Sequence, residues 1–186
     1  MKTHVLKTLS IVALALIAIF VSACGLFDKA DDVNFDATLD ETIVVTEPNE
    51  GTNVVYAKTI VLDAASDPDI NKYKNKISGF TIKKVSYQIT SFTGGNCVFS
   101  GTLSFGDASA STPTVAATIT NLNLQQAYSF GQVFDLPINQ ADIDKIASLL
   151  KDDKAVKLYL DGSLSATPVT SSISVILEVS VKADAL

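Results

Sequence analysis

Two stretches near the C-terminus alternate apolar and polar residues with a period of two, and they do so on opposite parities. Val156, Leu158, Leu160 and Leu164 hold even positions, with Gly162 among them, whereas Ile173, Val175, Leu177, Val179 and Val181 hold odd ones. Successive side chains leave a strand on opposite faces, so this pattern is what a strand with one buried face requires. A slip of one residue would turn the whole apolar set to water. The change of parity predicts two antiparallel strands joined by an even-length loop around Thr167-Pro168, with Leu160 opposite Val175 and Leu158 opposite Leu177. Asp161-Gly162 has the composition of a turn, but the alternation runs through it, so Gly162 reads as an interior strand residue.

The same reasoning organises the rest of the chain. Residues 33–66 carry β-branched runs at Ile43–Thr46 and Val54–Leu62, separated by the turn-rich Glu47-Pro48-Asn49-Glu50-Gly51, which predicts two or three strands. Gly79 to Phe92 is a long strand whose apolar parity changes between Ile82 and Val85, so a bulge is expected near Lys83-Lys84. Cys97 to Phe105 keeps its apolar set on odd positions. A three-residue hairpin loop, Gly94-Gly95-Asn96, with Asn96 left-handed, would pair Tyr87 with Leu103 and Val85 with Phe105. Pro113–Ile119 forms another strand, and 121–131 reads as a loop with a helical turn.

Helices are few. Asp67-Pro68 caps and opens a short helical turn. Asn139 caps a helix over 139–152, with Ile143, Ile146, Ala147 and Leu150 at helical spacing. Asp142 and Asp144 lie in its first turns and Lys151 and Lys154 near its C-terminal end, as the macrodipole favours. Seven to eight antiparallel strands with one such helix predict a mainly β fold, a β-sandwich with a crossover helix; a β-barrel with a plugging helix is the alternative.

The first 24 residues have a different character. Lys2 and Lys7 precede an apolar run from Leu9 to Val21, broken only by Ser10, and then comes Val21-Ser22-Ala23-Cys24. A positive start, a short apolar run and small residues before a cut make a secretory signal. The run is shorter than the roughly 20 residues a spanning helix needs. Val-Ser-Ala-Cys resembles the lipobox of bacterial lipoproteins, and the resemblance covers residues 1–24. It implies cleavage before Cys24 and acylation of the Cys24 thiol and the new amine, so that the chain meets the membrane through N-terminal acyl chains. One chain binds a bilayer with an association constant of only about 10⁴ M⁻¹, and added chains multiply it. In lipoproteins of two-membrane bacteria, Asp after the Cys often marks inner-membrane retention; Gly25 stands there, compatible with an outer-membrane address. Asp28-Lys29-Ala30-Asp31-Asp32 reads as a solvated acidic tether and faintly resembles the surface-export tether of Bacteroidota lipoproteins. The expected organisation is therefore a signal peptide over 1–23, a lipidated Cys24 and acidic tether over 24–32, and one β-rich domain over 33–186.

Composition then narrows function. All 14 basic residues are lysine, and the single His and single Met, His4 and Met1, fall within the signal, as do Lys2 and Lys7. The mature chain would hold 12 lysines against 20 carboxylates, a net charge of −8, with no His, Arg, Trp or Met. Without His there is no Ser-His or Cys-His pair and no imidazole ligand. Without Arg there is no bidentate clamp for phosphate or carboxylate. The charge and the lack of a basic cluster argue against nucleic acid and against attraction to anionic lipid, which leaves the acyl chains as the anchor. With Cys24 acylated, Cys97 has no partner for a disulfide and reads as a small buried hydrophobe.

Three further patterns bear on chemistry. Asp67, Asp69 and Asn71 fit the first three positions of an EF-hand loop, but Lys72 stands where Gly belongs and Ser78 where Glu belongs, so a capped turn and no metal is expected. Asp142 and Asp144 could be imagined as a catalytic dyad, but dipole charge on an exposed face accounts for them. Ser171, Ser172, Ser174 and Ser180 read as a solvated sheet face, with a polar recognition surface as the functional alternative. No cofactor and no catalytic residue is expected. The reading is a non-enzymatic structural or binding module of the cell envelope, with a protein or glycan partner met through Tyr56, Tyr73, Tyr87, Tyr128 or Tyr159. A subunit of a surface assembly, similar to fimbrillin-like lipoproteins, is the alternative, and a carboxylate-only glycosidase is a remote one.

Overall fold

The computed structural model describes residues 32–107 and 112–184. Six strands form one antiparallel hydrogen-bonded network: β1 (Asp32–Asp63), β2 (Ile77–Gly94), β3 (Val98–Gly106), β4 (Thr114–Asn123), β5 (Val133–Asp135) and β6 (Ala155–Asp184). Among the described residues, a single 3-10 turn, Ala64–Ser66, and three α-helices interrupt them: α1 (Pro68–Tyr73), α2 (Leu124–Ser129) and α3 (Gln140–Asp152).

The two longest strands define the architecture. β1 and β6 lie antiparallel along almost their whole length, from Asp32 opposite Asp184 to Asp63 opposite Ala155. β1 fills one edge of β6, so β2 and β3 must share the other, and they divide it. β3 pairs with Lys157–Leu164 and β2 with Val169–Ala183. Each long strand therefore passes from one layer into the other, giving two four-stranded layers of a β-sandwich. One layer holds β4, β3 and the adjoining halves of β6 and β1; the other holds β5, β2 and the remaining halves. The corner lies where the β1–β6 register shifts between Glu47 and Gly51, opposite Val169 and Thr167, beside the cis Thr167-Pro168 bond.

This geometry corrects the expected pairing. The parity change in β6 is real, since even residues are buried up to Leu164 and odd ones from Val169, but it marks a corner and not a hairpin loop. Leu160 pairs with Leu103, Leu158 with Phe105, Val175 with Tyr87 and Leu177 with Val85. The partners expected within one sheet instead meet across the core. Val85, Val175 and Leu177 of one layer and Leu103, Phe105 and Leu158 of the other line one small internal void. Gly94-Gly95-Asn96 is likewise no hairpin loop but the crossing between layers. Gly94, not Asn96, takes the positive φ, at 141°, and a Cβ there would lie 2.8 Å from the Pro168 carbonyl oxygen. The expected turn at 47–51 is a bulge inside a continuous β1. The strand network stays open at β4, β5 and β1, so the barrel alternative is not the fold.

Other expectations match. The β2 register shifts between Ile82 and Lys84, at the foreseen bulge. Asp67 Oδ1 accepts from the Asp69 and Ile70 N–H groups and Pro68 opens α1. Asn139 caps α3, whose Ile146 and Leu150 are buried. Cys97 is buried in the single core cluster. The serine face differs. Ser171 is fully buried and donates to the Ser91 carbonyl at 3.0 Å, because its odd position points it into the core, and Ser174 is buried too. Ser172 and Ser180 are half-buried, so the four serines do not share one solvated face.

Candidate binding groove

β4 and β5 are the outer strands of the two layers on the side away from β1. The seam between them is partly filled by α2 and α3, and a cleft opens beside each helix.

The α3 cleft, about 480 Å³, is carboxylate-rich, with Asp107, Asp144, Asp152 and Asp153 on its walls beside Lys145. Asp142 is not among them. It is committed to the helix start, where its N–H donates to Asn139 Oδ1 at 3.0 Å while its carboxylate accepts from Asn139 Nδ2 at 2.6 Å and Lys145 Nζ at 3.0 Å. These two donors, Lys145 first, hold its carboxyl below the usual value. Asp144 accepts from Gln140 Nε2 at 2.8 Å. The dyad considered from sequence is thus divided between a cap and a cleft wall. Among the described residues, no group of three His, Cys, Asp or Glu side chains is placed to hold a metal.

The α2 cleft, about 290 Å³, lies between β4 and the β2–β5 pair. Its floor is aromatic. Tyr87 and Phe134 sit opposite each other in the β2–β5 ladder, their rings stacked at 4.9 Å and 11°. Burial pushes the Tyr87 phenol above its usual range, so it stays neutral. The rim is made of amides, Asn121 and Asn123 from β4, Gln126 from α2 and Gln132 before β5. A second depression, about 490 Å³, continues from the shared Asn123 and Gln126 to Asn96, Gln125, Ser129 and Phe130.

Local structure explains why these side chains converge. β4 carries an extra residue between Ile119 and Leu122 relative to Gly101 and Phe99 of β3, and Asn121 within this bulge adopts φ 52°. Its N–H donates to Ser100 Oγ at 3.0 Å. A bulge on an edge strand re-aims a side chain, and Asn tolerates the left-handed region better than most residues. Asn123 caps α2 through its Oδ1, which accepts from the Gln126 N–H at 2.9 Å, and its Nδ2 donates to Asn96 Oδ1 at 2.8 Å. Among the described residues, the amides of Asn121, Gln125, Gln126 and Gln132 have no protein hydrogen-bond partner. All four are exposed. Phe130 at the groove's end is 73% exposed.

Of the five tyrosines named from sequence, only Tyr87 lines this groove. Tyr56 is buried at the corner, Tyr73 packs against Phe35 at 5.7 Å, Tyr159 sits beneath Lys157, and Tyr128 is exposed on α2. The amide set stands outside the residues that the sequence pattern singles out, although the sequence carries a signal for it. From Val85 to Phe134, fifty residues hold one charge, Asp107, in a chain that is 18% charged, and they hold seven Asn and Gln. Cys24 and the signal segment lie outside the described residues. Among those described, no helix is long and apolar enough to cross a membrane.

No family model matches the chain, and no curated protein matches it. Among solved structures it is similar to the capsid protein of BFDV in a decameric form, at 12% identity and TM-score 0.40, over 81% of this chain and 99% of that one. It is also similar to turnip yellow mosaic virus, at 11% identity and TM-score 0.34, over 83% and 96%, and to tobacco necrosis virus, at 11% and 0.36, over 82% and 96%. Likenesses this distant carry no argument about what the chain does.

Proposed function

We propose that the chain is a lipoprotein of the bacterial cell envelope, held at the outer membrane by acyl chains on Cys24, whose β-domain is a non-enzymatic binding module. The observation that supports binding over chemistry is the lining of the α2 groove. Amides donate and accept hydrogen bonds but neither gain nor lose protons near neutral pH, so the groove offers recognition without general acid–base groups. A net charge of −8 on the mature chain favours acyl chains over charge as the attachment to an anionic bilayer. The anchor is tested by fractionating cells that express the wild type or Cys24→Ser. The wild type is expected in the membrane pellet and Cys24→Ser in the soluble fraction; membrane sedimentation of both overturns the reading. Protease shaving of intact against lysed cells then assigns the side of the membrane.

One observation favours the assembly alternative. β1 pairs with β6 alone among the described residues, which leaves a free edge on a 32-residue strand. That strand holds seven acids, Asp32, Asp36, Asp40, Glu41, Glu47, Glu50 and Asp63, against Lys58. Such charge discourages pairing with a second copy of itself. An assembly through β1 would therefore use a basic partner strand, and polymers resistant to mild detergent would reveal it.

A further inference from the structure

We propose that the α2 groove binds a neutral oligosaccharide; this rests on the reading of the domain as a binding module and names its ligand class. Three features select that chemistry. First, the two depressions meet at Asn123 and Gln126, and their sizes of about 290 and 490 Å³ are near the roughly 300–1,000 Å³ typical of small-ligand sites. Second, the polar groups on offer are primary amides. Each presents two N–H donors and a carbonyl acceptor, the complement of a hydroxyl that both donates and accepts. Asn121, Gln125, Gln126 and Gln132 hold theirs free of protein partners among the described residues. Asn123 is a positioning residue, its amide spent on the helix cap and on Asn96. Third, half-buried Phe134, stacked on the buried Tyr87 ring in the floor, and the exposed Phe130 at the end supply apolar ring surface for the C–H side of a sugar ring.

The absence of charge sets the class more narrowly. No lysine or carboxylate lines either depression. An acidic or sulfated glycan would find no counter-charge there, on a chain whose overall charge repels it. A peptide would find no charged partner and no deep apolar pocket for an anchoring side chain.

The test uses the full lipidated protein in a detergent without a sugar headgroup. Its probes are neutral glucan and mannan oligosaccharides, with polygalacturonate and a sulfated oligosaccharide of equal length as comparators. Saturable binding of a neutral probe is expected, insensitive to added salt. A loss of tenfold or more is expected in Gln126→Ala/Gln132→Ala, whose side chains are exposed, and in Asn121→Gly, which keeps the left-handed backbone and removes only the amide. Circular dichroism checks that these variants fold. No binding of any neutral probe, equal binding by the variants, or preference for the anionic comparators overturns the proposal. If the wild type cleaves the bound oligosaccharide, the ligand class is supported and the non-enzymatic reading falls. If no neutral probe binds while Cys24→Ser still releases the protein from membranes, the ligand class falls and the anchor stands.

Discussion

The Tyr56 hydroxyl donates to the Val44 carbonyl at 2.9 Å, linking the half of β1 that lies in one layer to the half that lies in the other. Tyr56 is buried, and burial, followed by the nearby Glu47, pushes its phenol up to about 12 from 10.0. The bond clips the corner where both long strands change layer.

Tyr56→Phe keeps the ring and removes the bond, so it should cost about 1 kcal/mol, with the Val44 carbonyl left to find water. The pH dependence follows from the sign of the shift. A folded value above the unfolded one stabilises fully below pH 10 and is lost as pH rises toward 12. Alkaline titration by phenolate absorbance should therefore show late-titrating tyrosines in the wild type, Tyr87 among them, and one fewer in Tyr56→Phe. An unchanged titration curve would contradict the assignment.

Gly101 and Gly162 face each other in the β3–β6 ladder with the Phe99 ring over both. A Cβ on Gly101 would sit 2.2 Å from the Asp161 carbonyl oxygen, and one on Gly162 would sit 2.4 Å from the Ser100 carbonyl oxygen. Both obstacles are backbone and cannot rotate away. Gly101→Ala and Gly162→Ala should each cost about 3 kcal/mol, the upper end of ordinary overpacking. Gly95, with nothing within 4 Å of its Cβ position, should accept Ala within about 0.5 kcal/mol. Urea midpoints of the three variants check this, and equal midpoints would refute it.

At the start of α3, Asn139 and Asp142 exchange hydrogen bonds in a reciprocal cap. Asn139→Ala should cost about 1 kcal/mol, and Asn139→Ser less. For Asp142 the folded carboxyl lies below 3.8 because Lys145 and Asn139 bond its charged form. Its contribution is present above the unfolded value and is lost as pH falls through the folded one. Asp142→Asn should therefore be less stable than wild type at neutral pH, and the gap should close in acid. A gap that stays constant with pH would show that the carboxylate's charge is not what stabilises the helix start.

Local features of this fold were legible in the sequence, and the global pairing was not. Strand faces, the Lys83 bulge, the Asp67 and Asn139 caps, buried Cys97 and interior Gly162 all follow from one or two neighbouring residues, where alternation and capping chemistry act. The partners of Leu160 and Val175 depend on whether a parity change is a loop or a corner. Both solutions bury the same residues, so periodicity cannot separate them; a 30-residue β6 decides it by carrying β1 along one edge and dividing the other between β3 and β2. The groove was hidden for a similar reason. Asn121 and Gln132 are ordinary loop residues until the β4 bulge and the β5 pairing set them around Tyr87. The charge-poor run from Val85 to Phe134, with Asp107 its one charge, is visible in the sequence, but its meaning needs β4 and β5 to be placed on one side of the sandwich.

The membrane anchor hangs on Cys24, and weighing what that residue carries tests it most directly. Mass spectrometry of the N-terminal peptide from native protein should find residues 1–23 gone and Cys24 carrying acyl chains. A peptide that retains the leader, or one that begins at Cys24 with a free thiol and a free amine, would contradict it.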